Sequence, residues 1–214
     1  MKKRALLTVL CAILLVVATI MGTMAYLTDT KEVKNTFTVG KVYIDLNETD
    51  VDENGVVIPS ASPVKENSYK LLPGHTYTKD PTVTVLADSE DCYVKMTMSI
   101  DKIDKIDAIF ATSKEGKADL TAIFTGYNAD WELKSTTDKD NVRTYEFWYK
   151  NKVAKNASDQ KLAPLFTNLV VPGFITNEQI ATINGMNITI NAYAIQADGF
   201  NDDMAAAWAA FPEA

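Results

Sequence analysis

Histidine is almost missing from this chain: there is one in 214 residues. Zinc hydrolases take two or three imidazole ligands, two of them often a helical turn apart as His-Glu-x-x-His. His75 stands alone beside the Pro73-Gly74 turn, where a surface-loop residue is expected, so a zinc protease lacks its ligands. A Ser-His-Asp enzyme would need that same histidine, and no Gly-x-Ser-x-Gly elbow is present. Cysteine is equally scarce, with Cys11 and Cys92 the whole supply. Positive charge is in deficit, 21 Lys and Arg against 28 Asp and Glu, a net of −7. That balance disfavours nucleic acid and anionic lipid as partners.

Long apolar runs are absent except for one. Lys2-Lys3-Arg4 precedes residues 5–21, which carry no charge, and Thr23-Met24-Ala25 then supplies the small–x–small step cut by a signal peptidase. This is the layout of a secretory leader, with cleavage expected between Ala25 and Tyr26. The 17-residue run sits at the lower limit for spanning a bilayer, so a retained anchor is the competing reading. Bulky Leu10 before Cys11 argues against lipoprotein processing. Cleavage leaves 189 residues, residues 26–214, enough for one domain with a real core. Losing Lys2, Lys3 and Arg4 takes the net charge from −7 to −10. No second long apolar segment and no Leu-Pro-x-Thr-Gly motif follows, so a secreted protein without a permanent membrane anchor is expected. Cys92 is then the only thiol, and no internal disulfide forms. It is in phase with Val94, Met96, Met98 and Ile100, which places it in the core.

Period-two alternation runs through Val42, Ile44 and Leu46, through Val83 and Val85, through residues 92–100, and through Ile188, Ile190, Ala192 and Ala194. Half-buried antiparallel strands give this pattern. A parity slip at Gly40 suggests a bulge. Asn54-Gly55, Pro73-Gly74, Asp80-Pro81, Pro172-Gly173 and Asp198-Gly199 read as turns. Trp131-Glu132-Leu133 and residues 142–150 read as hairpin arms joined by the polar stretch 135–141. Helical spacing marks Leu120, Ile123, Phe124 and Tyr127 behind Asp119. It also marks Ile180 and Ile183 behind a capping box from Thr176 to Gln179, and Met204, Trp208 and Phe211 behind Asp202 and Asp203. Residues 48–68, containing Asp and Pro, read as a mobile loop. The fold class expected is all-β, a jelly-roll-like antiparallel β-sandwich with a few short decorating helices.

Several motifs together resemble the TasA/camelysin family of exported Gram-positive proteins. They are Ala25-Tyr26-Leu27-Thr28-Asp29, Asn35-Thr36-Phe37-Thr38-Val39-Gly40, Tyr69-Lys70-Leu71-Leu72-Pro73-Gly74, Lys79-Asp80-Pro81, Asp91-Cys92-Tyr93-Val94 and Ala192-Tyr193-Ala194-Ile195-Gln196-Ala197 with Ala207-Trp208. The likeness covers roughly residues 20–100 and 174–211. Residues 101–173 match weakly, within a divergent loop- and helix-containing middle placed at 101–185. The resemblance implies a leader cut by a SipW-type signal peptidase, a jelly-roll sandwich, and a fibre subunit or fibre-associated protein of the biofilm matrix. It also implies donor-strand complementation, self-association into filaments and contact with other matrix proteins. The camelysin branch has been classed as metallopeptidase, which the single histidine opposes.

The residues themselves fit such an assembly. Leu27, Val33, Phe37 and Val39 share one parity, and an extended segment with apolar side chains on alternate positions completes the open edge of another molecule's sheet. Head-to-tail donation does not close on itself and generates filaments. The same residues also fit the first strand of the chain's own sandwich. No catalytic set and no cofactor is expected. Glu132 and Glu146, near Trp131, Tyr145, Phe147 and Trp148, form the nearest thing to a glycosidase pair. Asp50, Asp52 and Asn54 open a weak calcium-loop match whose twelfth position is Ala61 rather than Glu. A monomeric module binding carbohydrate or a host surface through exposed Tyr145, Trp148 and Tyr149 is the alternative function.

Overall fold

The computed structural model describes residues 41–112 and 123–212. The chain divides into two compact units, Met1–Val39 and Gly40–Ala214, and the described residues all belong to the second. The alternation around Cys92 produces its central element, strand β4 (Cys92–Asp101). Cys92, Val94, Met96, Met98 and Ile100 are at most 2% exposed. Fully burying one such side chain stabilises by roughly 1.5–3 kcal/mol, so this row anchors the fold.

Ten strands are found among the described residues. The others are β1 (Ile44–Asn47), β2 (Thr76–Thr78), β3 (Thr82–Val85), β5 (Phe124–Thr125), β6 (Trp131–Lys139), β7 (Val142–Tyr149), β8 (Gln160–Lys161), β9 (Asn168–Val170) and β10 (Ile188–Gln196). They form three sheets ordered β1-β3-β8, β10-β4-β7-β6 and β2-β9-β5. Every pairing is antiparallel. One core collects Val83 and Val85 from the first sheet, Met96, Met98 and Phe147 from the second, and Tyr77, Phe124 and Leu169 from the third. The fold is all-β with short helices.

Three helices decorate it: α1 (Ile103–Ala111), α2 (Asn177–Thr182) and α3 (Met204–Ala209). The capping box is formed as expected: Gln179 N–H donates to Thr176 Oγ1 at 3.3 Å, and Thr176 N–H donates back to Gln179 Oε1 at 2.9 Å. Asp203 caps α3 by accepting from Ala206 N–H. Ala207 and Trp208 then pack with Tyr93 and Ala197 on the opposite face of the central sheet. Helix α1 was not anticipated, although Ile103, Ile106 and Phe110 recur at helical spacing and are buried. It starts from Lys102 in the left-handed region with no side-chain cap, so the usual start signal is missing. Arg143 on β7 clamps it, with Nη1 and Nη2 3.1 and 3.0 Å from the two Asp107 oxygens.

Three expectations are corrected. Strand β6 runs through most of the polar stretch to Lys139, and the hairpin turns on Asp140 and Asn141, both with positive φ, as a two-residue primed turn requires. Polarity misled here because all of β6 after Trp131 is exposed. Phe124 and Thr125 are strand rather than helix, since Phe124 pairs with Leu169 and its ring packs at a tilt with its centre 4.7 Å from that of Phe166. The part of that expected helix in residues 119–122 lies outside the described residues, as does Gly40. The stretch 48–68 is not free. Glu48 bridges Val64, Val51 bridges Val57, Thr49 donates to Asp80, and the buried Glu48 carboxylate meets Lys79 Nζ at 2.6 Å.

Gly55 is needed where this stretch turns. Its φ is +77°, and a Cβ there would lie 2.6 Å from the Tyr77 Cα. Gly55→Ala should lower stability by at least about 2 kcal/mol, read as a reduced urea midpoint, because left-handed strain adds to a backbone clash.

Candidate assembly interface

The central sheet has two outer strands of opposite character. Strand β6 carries Glu132, Lys134, Asp138 and Lys139, and its register slips between Leu133 and Ser135. Charges and a bulge are how proteins keep a sheet edge from pairing with another chain. Strand β10 has neither: Ile-Thr-Ile-Asn-Ala-Tyr-Ala-Ile-Gln contains no charge, proline or glycine, and its nine pairs with β4 run without a shift. Among the described residues, no backbone hydrogen bond beyond the β4 ladder reaches residues 188–196.

Burial changes sharply across one strand spacing. Ile188, Ile190, Ala192 and Ala194 sit opposite Ile100, Met98, Met96 and Val94. The β4 members are at most 2% exposed, whereas the four on β10 are half-buried. Strand β1 lies beside β10 but, among the described residues, pairs as a strand with β3 alone, and Val42, Ile44 and Leu46 are half-buried too. Near the start of β10 an open cleft of about 660 Å³ is lined by Tyr69, Leu71, Ile180, Met186 and Ile188. Half-buried apolar side chains thus lie at the same edge as a backbone row that has no partner among the described residues. Such an edge can accept one more strand.

The expected donor residues Leu27, Val33, Phe37 and Val39 lie outside the described residues, as do the cleavage residues Ala25 and Tyr26. The charge-free β10 edge was not singled out from sequence. Its alternation was legible, but its edge position depends on pairings across the whole chain.

The other residues marked from sequence find structural tasks. Glu146 is held by Lys95 Nζ at 3.0 Å and by Trp148 Nε1, which donates at 2.7 Å. Lys95 Nζ in turn lies 4.8, 5.5 and 5.8 Å from the ring centres of Trp208, Phe211 and Tyr193. This is cation–π packing that pins α3 to the sheet. Glu132 pairs with exposed Lys134 at 2.8 Å, whose hydrogen bond holds its carboxyl below the usual carboxylate range. A glycosidase acid needs the opposite direction. Tyr145, Trp148 and Tyr149 are not the exposed platform expected. Tyr145 is buried in the core, Trp148 packs against Trp208 at 6.2 Å, and Tyr149 against Trp131 at 5.2 Å. Strand alternation places Tyr145 inward, and the unanticipated closeness of α3 covers Trp148.

Asp52 Oδ1 accepts the N–H groups of Val56 and Asn54, closing its own turn, and the Val56 bond is the main cause of its lowered pKa. Asp50 and Asn54 are half-buried beside it. Among the described residues no group of three or more His, Cys, Asp and Glu side chains is placed to hold a metal. His75 is half-buried, with its ring 5.0 Å from that of Tyr77.

Cys92 is fully buried, and burial pushes its thiol up to about 11, with Asp91 adding to the shift. An ordinary thiol ionises near 9. The unfolded chain therefore loses this proton first, and the contribution of neutral Cys92 to stability falls as pH rises past about 9. A thiol reagent at pH 8 should leave Cys92 unmodified in the folded protein and label it only on unfolding, as read by mass spectrometry.

These features define an antiparallel all-β protein whose largest sheet, among the described residues, ends on a charged, bulged strand at one side and a charge-free strand at the other. Comparison with protein-family profiles, characterised proteins and solved structures finds no match for this chain. No helix among the described residues is long and apolar enough to cross a membrane.

Proposed function

We propose that this chain is an exported structural protein of an extracellular matrix, a subunit that assembles into filaments by donating its N-terminal strand. The observation that carries this reading is the edge along β10 and β1, where seven apolar side chains are half-buried beside a backbone row without a partner among the described residues. The alternating apolar residues Leu27, Val33, Phe37 and Val39, ahead of Gly40, have the pattern of the missing strand. With that strand in place the sheets would close as a jelly-roll sandwich, the arrangement implied by the TasA/camelysin resemblance. The leader reading makes cleavage after Ala25 the step that frees the arm, and the matrix outside the cell its destination. The role is structural rather than enzymatic, and the partners are further copies and other matrix proteins. The test is removal of residues 26–35 followed by electron microscopy of the exported protein. Loss of filaments with the globular part still folded supports the reading, and filaments that persist overturn it.

A further inference from the structure

Three groups of matching chemistry meet at one buried point between the end of β1, the end of β2 and the stretch 48–68. Lys79, which follows β2, is buried, and its Nζ meets Glu48 Oε1 at 2.6 Å. The other oxygen of the same carboxylate, Oε2, accepts from Asn67 Nδ2 at 3.3 Å. One buried carboxylate therefore touches a primary amine on one side and a carboxamide on the other. Lysine is almost never buried this deeply, and the Tyr69 ring, centred 5.8 Å from Nζ, walls the amine in. The remaining hydrogen bonds of Asn67 fix how its amide is turned. Its Oδ1 accepts the Val51 N–H at 3.2 Å, and its Nδ2 also donates to the Thr49 carbonyl at 3.0 Å.

We propose that these residues close a covalent amide bond between the Lys79 and Asn67 side chains of one chain, with Glu48 as the catalytic acid–base. The bond is independent of the assembly proposed above. Glu48 takes one proton from the Lys79 ammonium across their contact, which bares the Nζ lone pair. A turn of the flexible Lys79 side chain carries Nζ onto Asn67 Cγ, and the new C–N bond forms. Negative charge gathering on Oδ1 is met by the Val51 N–H, a backbone donor already in place. Glu48 then gives a proton to Nδ2 and takes another from Nζ. The Cγ–Nδ2 bond breaks and ammonia leaves. All three ammonium hydrogens are accounted for: one stays in the new amide, one rests on Glu48 and one departs in the ammonia. No oxidant and no activated co-substrate is required. The ion pair is the reactant state, and the fold supplies the effective concentration that makes an unactivated carboxamide reactive. The product ties the stretch 48–68 to the β2–β3 junction by a bond that reducing conditions leave intact.

Mass spectrometry of the folded protein tests this. Its mass should fall below that of the sequence, counted from the observed N-terminus, by one ammonia, and denaturant with reductant should not restore it. After tryptic digestion, cleavage at Lys79 is lost and residues 66–70 appear joined to residues 71–95, with fragment ions placing the bridge between Asn67 and Lys79. Glu48→Gln keeps the side-chain shape but cannot carry the proton, and Asn67→Ala removes the carboxamide. Both variants should show their full sequence mass, with circular dichroism reporting that they fold. Where Glu48→Gln does not fold, the mass and the joined fragment of the unaltered chain decide. A folded protein at its full sequence mass overturns the proposal. So does an ammonia loss without a joined fragment, as cyclisation of Asn54 onto the Gly55 nitrogen would give. A bridge that persists undiminished in folded Glu48→Gln overturns the role of the carboxylate.

Discussion

Deleting residues 26–35 should abolish filament growth and leave the melting of the globular part almost unchanged. The truncated protein begins at Thr36, so only four residues precede Gly40. At about 3.3 Å per residue they reach about 13 Å, too little to lie along a neighbour's nine-residue edge. The loss removes Val33 and the backbone groups around it from the seam. Each apolar side chain buried there contributes roughly 1.5–3 kcal/mol, and each ladder hydrogen bond about 1 kcal/mol. Association carries a cost of several kcal/mol in lost freedom, so a half-length strand has no surplus left. The measurements are negative-stain microscopy and light scattering for growth, with circular dichroism for the fold. Filaments of unchanged abundance would end the proposal. With the leader cleaved as proposed, the net charge is −10, and the proposed assembly should run faster as salt screens self-repulsion.

Lys79→Ala should be among the most damaging single substitutions in the described domain. Lys79 is 6% exposed and Glu48 8%, and they meet at 2.6 Å. Asn67 Nδ2 donates to the second Glu48 oxygen at 3.3 Å, and the Tyr69 ring lies 5.8 Å from the ammonium. Removing the cation strands a buried carboxylate, for which a loss of about 3–5 kcal/mol is expected. In a domain of this size that lowers the thermal midpoint by about 10 °C. The doubly apolar variant Lys79→Met with Glu48→Leu should recover most of the loss, because no charge is then left without a partner. A fall of less than 1 kcal/mol for Lys79→Ala would show that water or a rearranged neighbour replaces the ammonium.

Local pattern carried much of the fold. The strict alternation of residues 92–100 gave β4 and the burial of Cys92, and Thr176 with Gln179 gave a helix start confirmed bond by bond. Sequence reasoning failed where tertiary contacts outvoted local signals. Residues 135–139 look like a loop because both faces of β6 are wet, yet pairing with β7 holds them extended. Phe124 keeps helical spacing but is drawn into a ladder with Leu169. The glutamates beside aromatic rings suggested chemistry because a one-dimensional string cannot display Lys95, which comes from a different strand to bind Glu146. The position of charge-free β10 at the outside of its sheet was hidden for the same reason. A run without charge is visible from composition, but whether it is flanked by one neighbour or two is decided by strands a hundred residues away.

In the proposed assembly, the contrast between β6 and β10 would set the topology of what is built. A subunit with a single arm and a single receptive flank has valence two, one outgoing and one incoming, so growth yields unbranched polar strings whose two ends are chemically different. Bulge and charge on the far flank then act as insulation, keeping neighbouring strings from fusing side by side into a sheet.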